Sequence, residues 1–155
     1  MQFRDRKHPR LKNQDLYSAK GNVVHIIIGT HKRCPYFHDA DMARELCNLM
    51  IEVARQGNNP LYAYCIMPDH VHILTEPSDN LNVIEFVKHL KGRFISHCRK
   101  KGKGIKFQKS FYDHILRSDE DVYTVTKYII GNPVRAGIEI RFGNYPYAGS
   151  LEFNL

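Results

Sequence analysis

The feature that most constrains the fold is a pair of short, apolar segments separated by only two residues. Residues 61–67 and 70–76 flank Pro68 and Asp69, and this is the spacing of a tight hairpin. A tight connection of this length joins strands that run antiparallel. The sequence therefore predicts a sheet built on antiparallel pairing.

Strands and helices alternate around this hairpin. An apolar, β-branched run over residues 22–30 predicts a central strand, and residues 111–116 predict a further one. Apolar residues at helical spacing predict helices over residues 39–55, 80–101 and 119–130, and Asn132-Pro133 ends the last of them. This order predicts an α+β fold, a ferredoxin-like sandwich that has a central antiparallel sheet with helices mainly on one face.

Length and composition favour one soluble domain. The chain has 155 residues, of which 43% are hydrophobic and 25% are charged, as in an ordinary globular protein. No apolar run approaches the length of a bilayer span, and no signal-peptide core follows the basic N-terminus, so we expect a cytoplasmic protein without a membrane partner. The four cysteines lack C-x-x-C pairing, which indicates neither a zinc ribbon nor a disulfide framework.

Positive charge is concentrated in one part of the chain. The net charge is +7, and residues 86–112 contain nine lysines and arginines but no acidic residue. Such a stripe attracts polyanions because each neutralised phosphate releases a condensed counterion, although a solvated helix face is the alternative. The sequence therefore favours a nucleic-acid partner. The candidate phosphate contacts are Lys88, Lys91, Arg93, Arg99, Lys101 and Arg135.

Two histidines in the second hairpin strand are candidate metal ligands. His70 and His72 alternate with Val71 and Ile73, so they project from the same face of the strand. Two neighbouring imidazoles suit the chelation of one metal ion, and the alternative is a pair of solvent-facing histidines. Because the next alternating position is Leu74, the sequence does not fit a nucleotide-hydrolase pattern of three histidines.

A tyrosine and an asparagine at the end of the third predicted helix form a second candidate pair. Tyr128 and Asn132 are four residues apart and would share a helical face if the helix extended to Asn132. A phenol is a nucleophile that forms phosphoesters, and an amide oxygen is a metal ligand. The alternative is a core tyrosine followed by an asparagine that ends the helix. Rival nucleophiles are Tyr64, Tyr112 and Tyr123.

These motifs carry a resemblance to a known superfamily. IMPDHVHIL resembles the His-hydrophobe-His signature of the HUH superfamily, and KYIIGNPVRAGI resembles the tyrosine segment of its single-tyrosine transposases, particularly the REP-associated branch. The segments VHIIIGTHKR, HLKGRFISH, IKFQKSFYDHILR and NYPYAGSLEF extend the similarity over nearly the whole chain. The family has a shorter form confined to the catalytic domain. The resemblance therefore implies one HUH transposase-like domain over residues 1–155, with a basic N-terminal arm over residues 1–20.

The resemblance also implies an activity. It implies a divalent-metal-dependent endonuclease and strand transferase that acts on single-stranded, often hairpin-marked DNA through a 5′-phosphotyrosine intermediate. His70 and His72 then match the metal-binding histidines, Asn132 the amide ligand and Tyr128 the nucleophile, with Mg²⁺ or Mn²⁺ as the metal. Insertion-sequence transposases have Gln in place of Asn132, which bears on the subfamily. Some relatives are homodimers that exchange the tyrosine helix and others act as monomers, so both states stay open.

Other functions also stay open at this point. A non-catalytic nucleic-acid-binding module would use the same basic face without metal, and a metal-dependent phosphodiesterase would use activated water. A replication-initiation or relaxase nuclease of the same superfamily is a closer rival. His25, His31 and Glu76 could approach the same site, but a structural or surface role is favoured for each, and contact of Asp113 or His114 with the reacting strand is not favoured. Core packing is favoured over base stacking for most of the aromatic residues Phe94, Phe107 and Tyr112.

Overall fold

The computed structural model describes residues 14–155 and contains a five-stranded antiparallel sheet of order β4-β1-β3-β2-β5. The strands are β1 (Val24–Gly29), β2 (Leu61–Met67), β3 (His70–Thr75), β4 (Tyr112–Ile115) and β5 (Ala148–Gly149). The helices are α1 (Ala40–Gly57), α2 (Val83–Lys100), α3 (Val122–Ile130) and α4 (Asn132–Arg135), with short 3-10 helices at Gln14–Tyr17, His31–Arg33 and Tyr36–His38. This architecture confirms the predicted α+β fold.

Polar side chains set the starting points of the helices. Asp39 accepts hydrogen bonds from the first backbone N–H groups of α1, and Asp121 does the same for α3. Asn82 precedes α2 and forms a reciprocal capping box with Glu85. These caps explain why α2 and α3 begin at residues 83 and 122, each three residues later than the apolar spacing alone predicts.

One face of the sheet is apolar and lies beneath the two long helices. It carries Ile26, Ile28, Ile66, Val71 and Ile73, each at most 1% exposed, and these side chains form one core cluster with α1 and α2. We term it the apolar face. The position of α1 and α2 confirms that the helices lie mainly on one side of the sheet.

The opposite face carries a row of imidazoles, and we term it the histidine face. In the strand register, His25 of β1 lies opposite His114 of β4, while Ile27 and Gly29 of β1 lie opposite His72 and His70 of β3. Directly paired residues project from the same side of a sheet, so the four imidazoles share this face. The short helix α3 packs here, and its Ile129 joins a small apolar cluster with side chains of β2 and β3.

The C-terminal part of the chain contains two elements that the sequence did not predict. The strand β5 pairs with β2. After α3 ends at Ile130, the chain continues through Gly131 into α4, and Pro133 occupies the first turn of that helix. Proline is tolerated in a first helical turn because its missing N–H has no intrahelical partner there. Pro133 therefore follows the predicted helix end but also begins a new helical turn.

Two further expectations concern membrane-spanning helices and the N-terminal arm. Within residues 14–155, none of the helices combines the length and apolar character that a membrane span requires. The predicted basic N-terminal arm lies mostly outside the described residues, since the structure begins at residue 14.

Candidate active site

The tight turn between β2 and β3 places His70 at the start of β3, beside Asp69. Asp69 Oδ1 lies 2.6 Å from His70 Nδ1. Burial lowers the pKa of His70, and the hydrogen bond that its ring donates to Asp69 only partly opposes this effect. Because Asp69 occupies Nδ1, Nε2 is the nitrogen of His70 that a metal ion would use.

His72 is held in the same way by a second imidazole. Its Nδ1 lies 3.0 Å from Nε2 of His25, and the two rings stack with their centroids 5.2 Å apart. Burial lowers the pKa of His72 well below its usual value, so the ring is neutral at pH 7. Neutral imidazole is the form that binds metal ions. The rings of His70 and His72 are 5.0 Å apart between centroids and nearly perpendicular.

The side-chain amide of Asn132 indicates whether the site suits a divalent metal. Its Nδ2 is buried and has no hydrogen-bond partner among residues 14–155. Side-chain amides are assigned from their surroundings, and a rotated amide presents its oxygen at that position instead. Two neutral imidazoles and one amide oxygen fit Mn²⁺ or Mg²⁺ when water or phosphate oxygens complete the shell. The described residues contain no metal-binding group of three or more His, Cys, Asp or Glu side chains, so such a site would depend on Asn132.

Tyr128 lies on α3, the helix that packs against the histidine face. The guanidinium of Arg135 lies over its ring, 3.9 Å from the centroid, and donates a hydrogen bond to the Tyr128 backbone carbonyl. Besides burial and the neighbouring histidines, the charge of Arg135 also lowers the pKa of His72. Arg135 therefore contacts the candidate nucleophile and acts electrostatically on a candidate metal ligand.

A glycine makes this position of Arg135 possible. A Cβ atom at Gly131 would lie 3.0 Å from Nη1 of Arg135 and 3.1 Å from the carbonyl oxygen of Lys127. Both distances are shorter than ordinary van der Waals contacts, so any larger residue at 131 would displace the guanidinium or the helix backbone. Gly131 thus lets Arg135 fold back over Tyr128.

The rival tyrosines lie in different places. Tyr123 is 41% exposed, and its ring contacts Lys127 and Phe153 on the outer side of α3. Tyr64 lies on the apolar face, where burial raises its pKa. Tyr112 projects from the histidine face opposite Ile27, which makes it the rival closest to the candidate ligands in the strand register.

The predicted phosphate contacts are divided between the two sides of the sheet. Arg135 lies beside Tyr128, whereas the other five belong to α2 or its C-terminal cap on the side of the apolar face. Arg93 bonds Glu52 at 2.7 Å, Lys101 pairs with Glu45, and Lys91 donates to a backbone carbonyl at 2.9 Å. Lys88 and Arg99 are exposed on α2. These five cations therefore lie across the sheet from the histidine pair.

The sequence did not assign two neighbours of the histidine pair to the site. His25 was expected to have a structural role, but it contacts His72 directly. Gln108 folds over Gly29, the cross-strand partner of His70, so that a Cβ at Gly29 would lie 2.7 Å from Gln108 Oε1. A glycine within a strand is a signal of such a close approach. That signal was present in the sequence, but the residue that makes the approach is 79 positions away.

Comparison with known proteins identifies the family. The model of IS200-like transposases matches residues 18–132, a segment that includes the histidine pair, Tyr128 and Asn132. The chain belongs to the IS200-like transposase family. A candidate REP-associated tyrosine transposase of Haemophilus influenzae is 31% identical over 98 residues, which are 56% of each chain. A REP-associated tyrosine transposase of Escherichia coli is 26% identical over 106 residues, or 66% of this chain and 61% of the relative.

Solved structures of transposases share the fold. A REP-associated tyrosine transposase bound to a REP hairpin superimposes with a TM-score of 0.65 at 22% identity, covering 85% of this chain and 78% of the other. A candidate transposase from Deinococcus radiodurans gives a TM-score of 0.50 at 27% identity, covering 69% and 87%. The chain thus spans 56% and 61% of its two curated relatives and shares its fold with both solved structures.

Proposed function

We propose that this IS200-like transposase is a metal-dependent enzyme that nicks and rejoins single-stranded DNA. Tyr128 is the proposed nucleophile, and His70, His72 and Asn132 are the proposed metal-binding residues. The observation that carries the proposal is the position of Tyr128, which packs against the β2 and β3 side chains of the histidine face while the Arg135 guanidinium stacks on its ring. Membership of the family supports the same assignment.

The proposed reaction exchanges one phosphoester for another. The Tyr128 hydroxyl oxygen attacks the phosphorus and releases its proton, and the bond from phosphorus to the 3′ oxygen breaks. The products are a 5′-phosphotyrosine linkage and a free 3′-OH. The linkage preserves the energy of the broken phosphodiester, so a 3′-OH can later attack it and restore a DNA strand without ATP.

Charged and polar residues of the site have distinct roles in this proposal. His70, His72 and Asn132 would hold a divalent metal, which would supply positive charge against the negative charge of the phosphodiester. Arg135 holds the Tyr128 ring by stacking and supplies a positive charge beside the phenol as it loses its proton. Mg²⁺ and Mn²⁺ are the proposed metals because phosphate oxygens are hard ligands.

We also propose hairpin-marked single-stranded DNA as the substrate. A fold relative is a REP-associated tyrosine transposase bound to a REP hairpin. The exposed Lys88 and Arg99 of α2 are available to backbone phosphates, and DNA would compete with protein groups for Lys91, Arg93 and Lys101. Because the α2 cations lie across the sheet from Tyr128, a substrate that uses both sets must reach around the edge of the domain.

Trapping a covalent product tests the chemistry. The protein is incubated with Mn²⁺ and a hairpin-bearing single strand labelled at its 3′ end, then denatured. We expect a labelled protein–DNA adduct that peptide mapping assigns to Tyr128. Tyr128→Phe should remove the adduct while DNA binding persists, and Tyr123→Phe on the same helix is the matched control that should keep it.

The alternative functions predict other products. An adduct that persists in Tyr128→Phe rejects Tyr128 as the nucleophile and makes Tyr112 the next candidate. Cleavage without any adduct indicates a phosphodiesterase that uses water, and binding without cleavage indicates a non-catalytic module.

A mixing experiment distinguishes a monomeric site from an exchanged dimer. Within one chain, Tyr128 packs against the cluster that contains Cys65, the cross-strand partner of His72, so we propose that the site is assembled within one subunit. Equal amounts of Tyr128→Phe and His72→Ala proteins should then remain inactive together. Recovery of adduct formation in the mixture indicates a homodimer in which one subunit contributes Tyr128 to the histidines of the other.

A further inference from the structure

His25 is a buried polar residue whose position calls for an explanation. It is 2% exposed, and it is the second residue of β1, among apolar strand residues. A buried polar group without a hydrogen bond destabilises the fold, so such groups are normally paired. The partner of His25 is His72, with 3.0 Å between His25 Nε2 and His72 Nδ1.

Only one hydrogen can lie between these two nitrogens, and its location determines what His72 can bind. If Nε2 of His25 carries the hydrogen, neutral His72 holds its own proton on Nε2 and has no lone pair there for a metal. If Nδ1 of His72 carries the hydrogen, His25 accepts the bond and the lone pair of His72 is on Nε2. A metal-binding His72 that uses Nε2 therefore requires His25 to act as the acceptor.

The neighbouring candidate ligand is held in the corresponding way. Asp69 Oδ1 lies 2.6 Å from Nδ1 of His70, and a carboxylate accepts hydrogen bonds. Both candidate ligands are thus held at Nδ1, one by a carboxylate and the other by an imidazole. In metal sites, this kind of partner fixes the tautomer and the ring orientation of the ligand.

The geometry of the two rings supports a directional role for His25. The rings of His25 and His72 are nearly parallel, at 27°, and stacked with their centroids 5.2 Å apart. His72 is itself 6% exposed, so its ring has little room to turn. Stacking and the hydrogen bond together fix the orientation in which Nε2 of His72 points away from His25.

We propose that His25 is a positioning residue for His72: it accepts a hydrogen bond from Nδ1–H of His72 and thereby presents Nε2 of His72 to a divalent cation. This role rests on the proposed function, because that function requires a metal at His72. His25 itself does not touch the metal. The same cross-strand pairing gives β1 a share in a site whose candidate ligands come from β3 and α4.

The tautomer of His72 is the most direct test. Long-range ¹H–¹⁵N correlation spectra of the full chain, labelled on histidine and recorded without metal at pH 7.5, report which ring nitrogen carries the proton. We expect the Nδ1–H tautomer for His72 in the wild type and in His25→Gln, whose amide oxygen can accept the same bond. In His25→Leu we expect a mixture with the Nε2–H tautomer. A pure Nε2–H tautomer in the wild type overturns the proposal.

Metal affinity provides the second readout. Binding of Mn²⁺, followed by electron paramagnetic resonance, should weaken by about 10–100-fold in His25→Leu, because loss of an outer partner has that effect at known sites. His25→Gln should recover part of the loss, and His89→Gln, which removes an exposed imidazole from α2, should bind as the wild type does. Circular dichroism verifies that each variant is folded.

The outcomes separate this inference from the proposed function. Wild-type affinity in folded His25→Leu contradicts the positioning role, even if cleavage proceeds as proposed. Failure of the wild type to form a DNA adduct, with Mn²⁺ bound and weakened by His25→Leu, contradicts the transposase chemistry but supports the role of His25. Absence of Mn²⁺ binding to the wild type overturns both.

Discussion

The two faces of the sheet come from the same strands but have opposite chemistry. On the apolar face, Ile26 and Ile73 are fully buried beneath α1 and α2. On the histidine face, the adjacent positions His25 and His72 are nearly as buried, at 2% and 6% exposure, although they are polar. Because successive residues of a strand project from opposite faces, one face of this sheet supplies the apolar core and the other carries the polar side chains of the candidate site.

The energetic consequences of burial differ accordingly. Each apolar side chain removed from water stabilises the fold by roughly 1.5–3 kcal/mol. A buried imidazole gives no such gain, because its desolvation is only compensated by the hydrogen bond that it makes. The histidine face keeps polar groups at positions where an apolar pair would stabilise the fold about equally well. Such a choice is typical of functional sites.

The largest expected effect is on the apolar face. Phe94 is fully buried and packs against Phe37 and Phe107, so Phe94→Ala should lower the free energy of unfolding by about 3–5 kcal/mol. The matched change on the histidine face is the double variant His25→Leu/His72→Leu, which removes both hydrogen-bonding partners together. It should change the free energy of unfolding by less than about 1 kcal/mol while metal binding is lost. Urea unfolding measures both, and comparable losses in the two variants would contradict the division between the faces.

The pH dependence of stability should arise largely on the histidine face. Burial lowers the pKa of His25 to about 4, whereas the unfolded chain titrates near the ordinary value of about 6.5. The unfolded state then takes up the proton first, so stability is complete above pH 6.5 and falls as the pH drops from 6.5 towards 4. Through His25, the free energy of unfolding should fall by on the order of 3 kcal/mol as the pH drops from 6.5 to 4.

Urea unfolding at several pH values checks this dependence. The slope between pH 6.5 and 4 should decrease in His25→Leu and persist in His89→Gln, in which the replaced imidazole is exposed on α2. An unchanged slope in His25→Leu would show that another group controls acid sensitivity.

Arginines on the two sides of the sheet should differ in their effect on cleavage. Arg135→Ala removes the cation that contacts Tyr128 and should slow adduct formation about 100-fold at saturating DNA. Gly131→Ala should give a smaller decrease, because the added methyl displaces the guanidinium without removing its charge. The control is Arg44→Ala on α1, which breaks only a surface ion pair with Asp41. Equal rates of adduct formation for Arg135→Ala and Arg44→Ala would show that Arg135 has no role in the reaction.

The smallest expected effects concern the cations of α2. Lys88→Ala should reduce the slope of log affinity for DNA against log salt concentration by about 1 if Lys88 contacts a phosphate. Arg93→Ala should reduce it less, because its guanidinium already bonds Glu52 at 2.7 Å. The loss of this exposed ion pair should lower the free energy of unfolding by at most about 1 kcal/mol. Filter binding at several salt concentrations measures both slopes. A larger effect of Arg93→Ala than of Lys88→Ala would show that Arg93, and not the exposed Lys88, is the main phosphate contact.

Local signals were sufficient to predict most of the fold. The two-residue spacing around Pro68 and Asp69 determined a hairpin, and the structure places β2 and β3 on either side of it. Strand periodicity likewise placed His70 and His72 on one face, because a period of two depends only on neighbouring residues. Helix ends were less well predicted, since the capping roles of Asn82 and Asp121 became evident only in the structure.

The remainder of the site depends on contacts between distant segments. The role of His25 requires the register between β1 and β3, and no motif in either strand specifies that register. The contact of Gln108 with Gly29 depends on the path of the loop after α2. Likewise, Arg93 is engaged by Glu52 because α1 and α2 pack side by side. A charge stripe in the sequence therefore does not distinguish cations that are exposed from those that join two helices.

The central claim is that Tyr128 and the histidine pair form one metal-dependent site, and paramagnetic broadening tests it most directly. Mn²⁺ is added at low stoichiometry to protein labelled on the tyrosine rings. We predict that the Tyr128 resonance broadens together with those of His70 and His72, while Tyr36, which packs on the apolar side of the sheet, stays sharp. In His72→Ala the broadening of Tyr128 should disappear. A sharp Tyr128 signal beside broadened histidines would contradict the account.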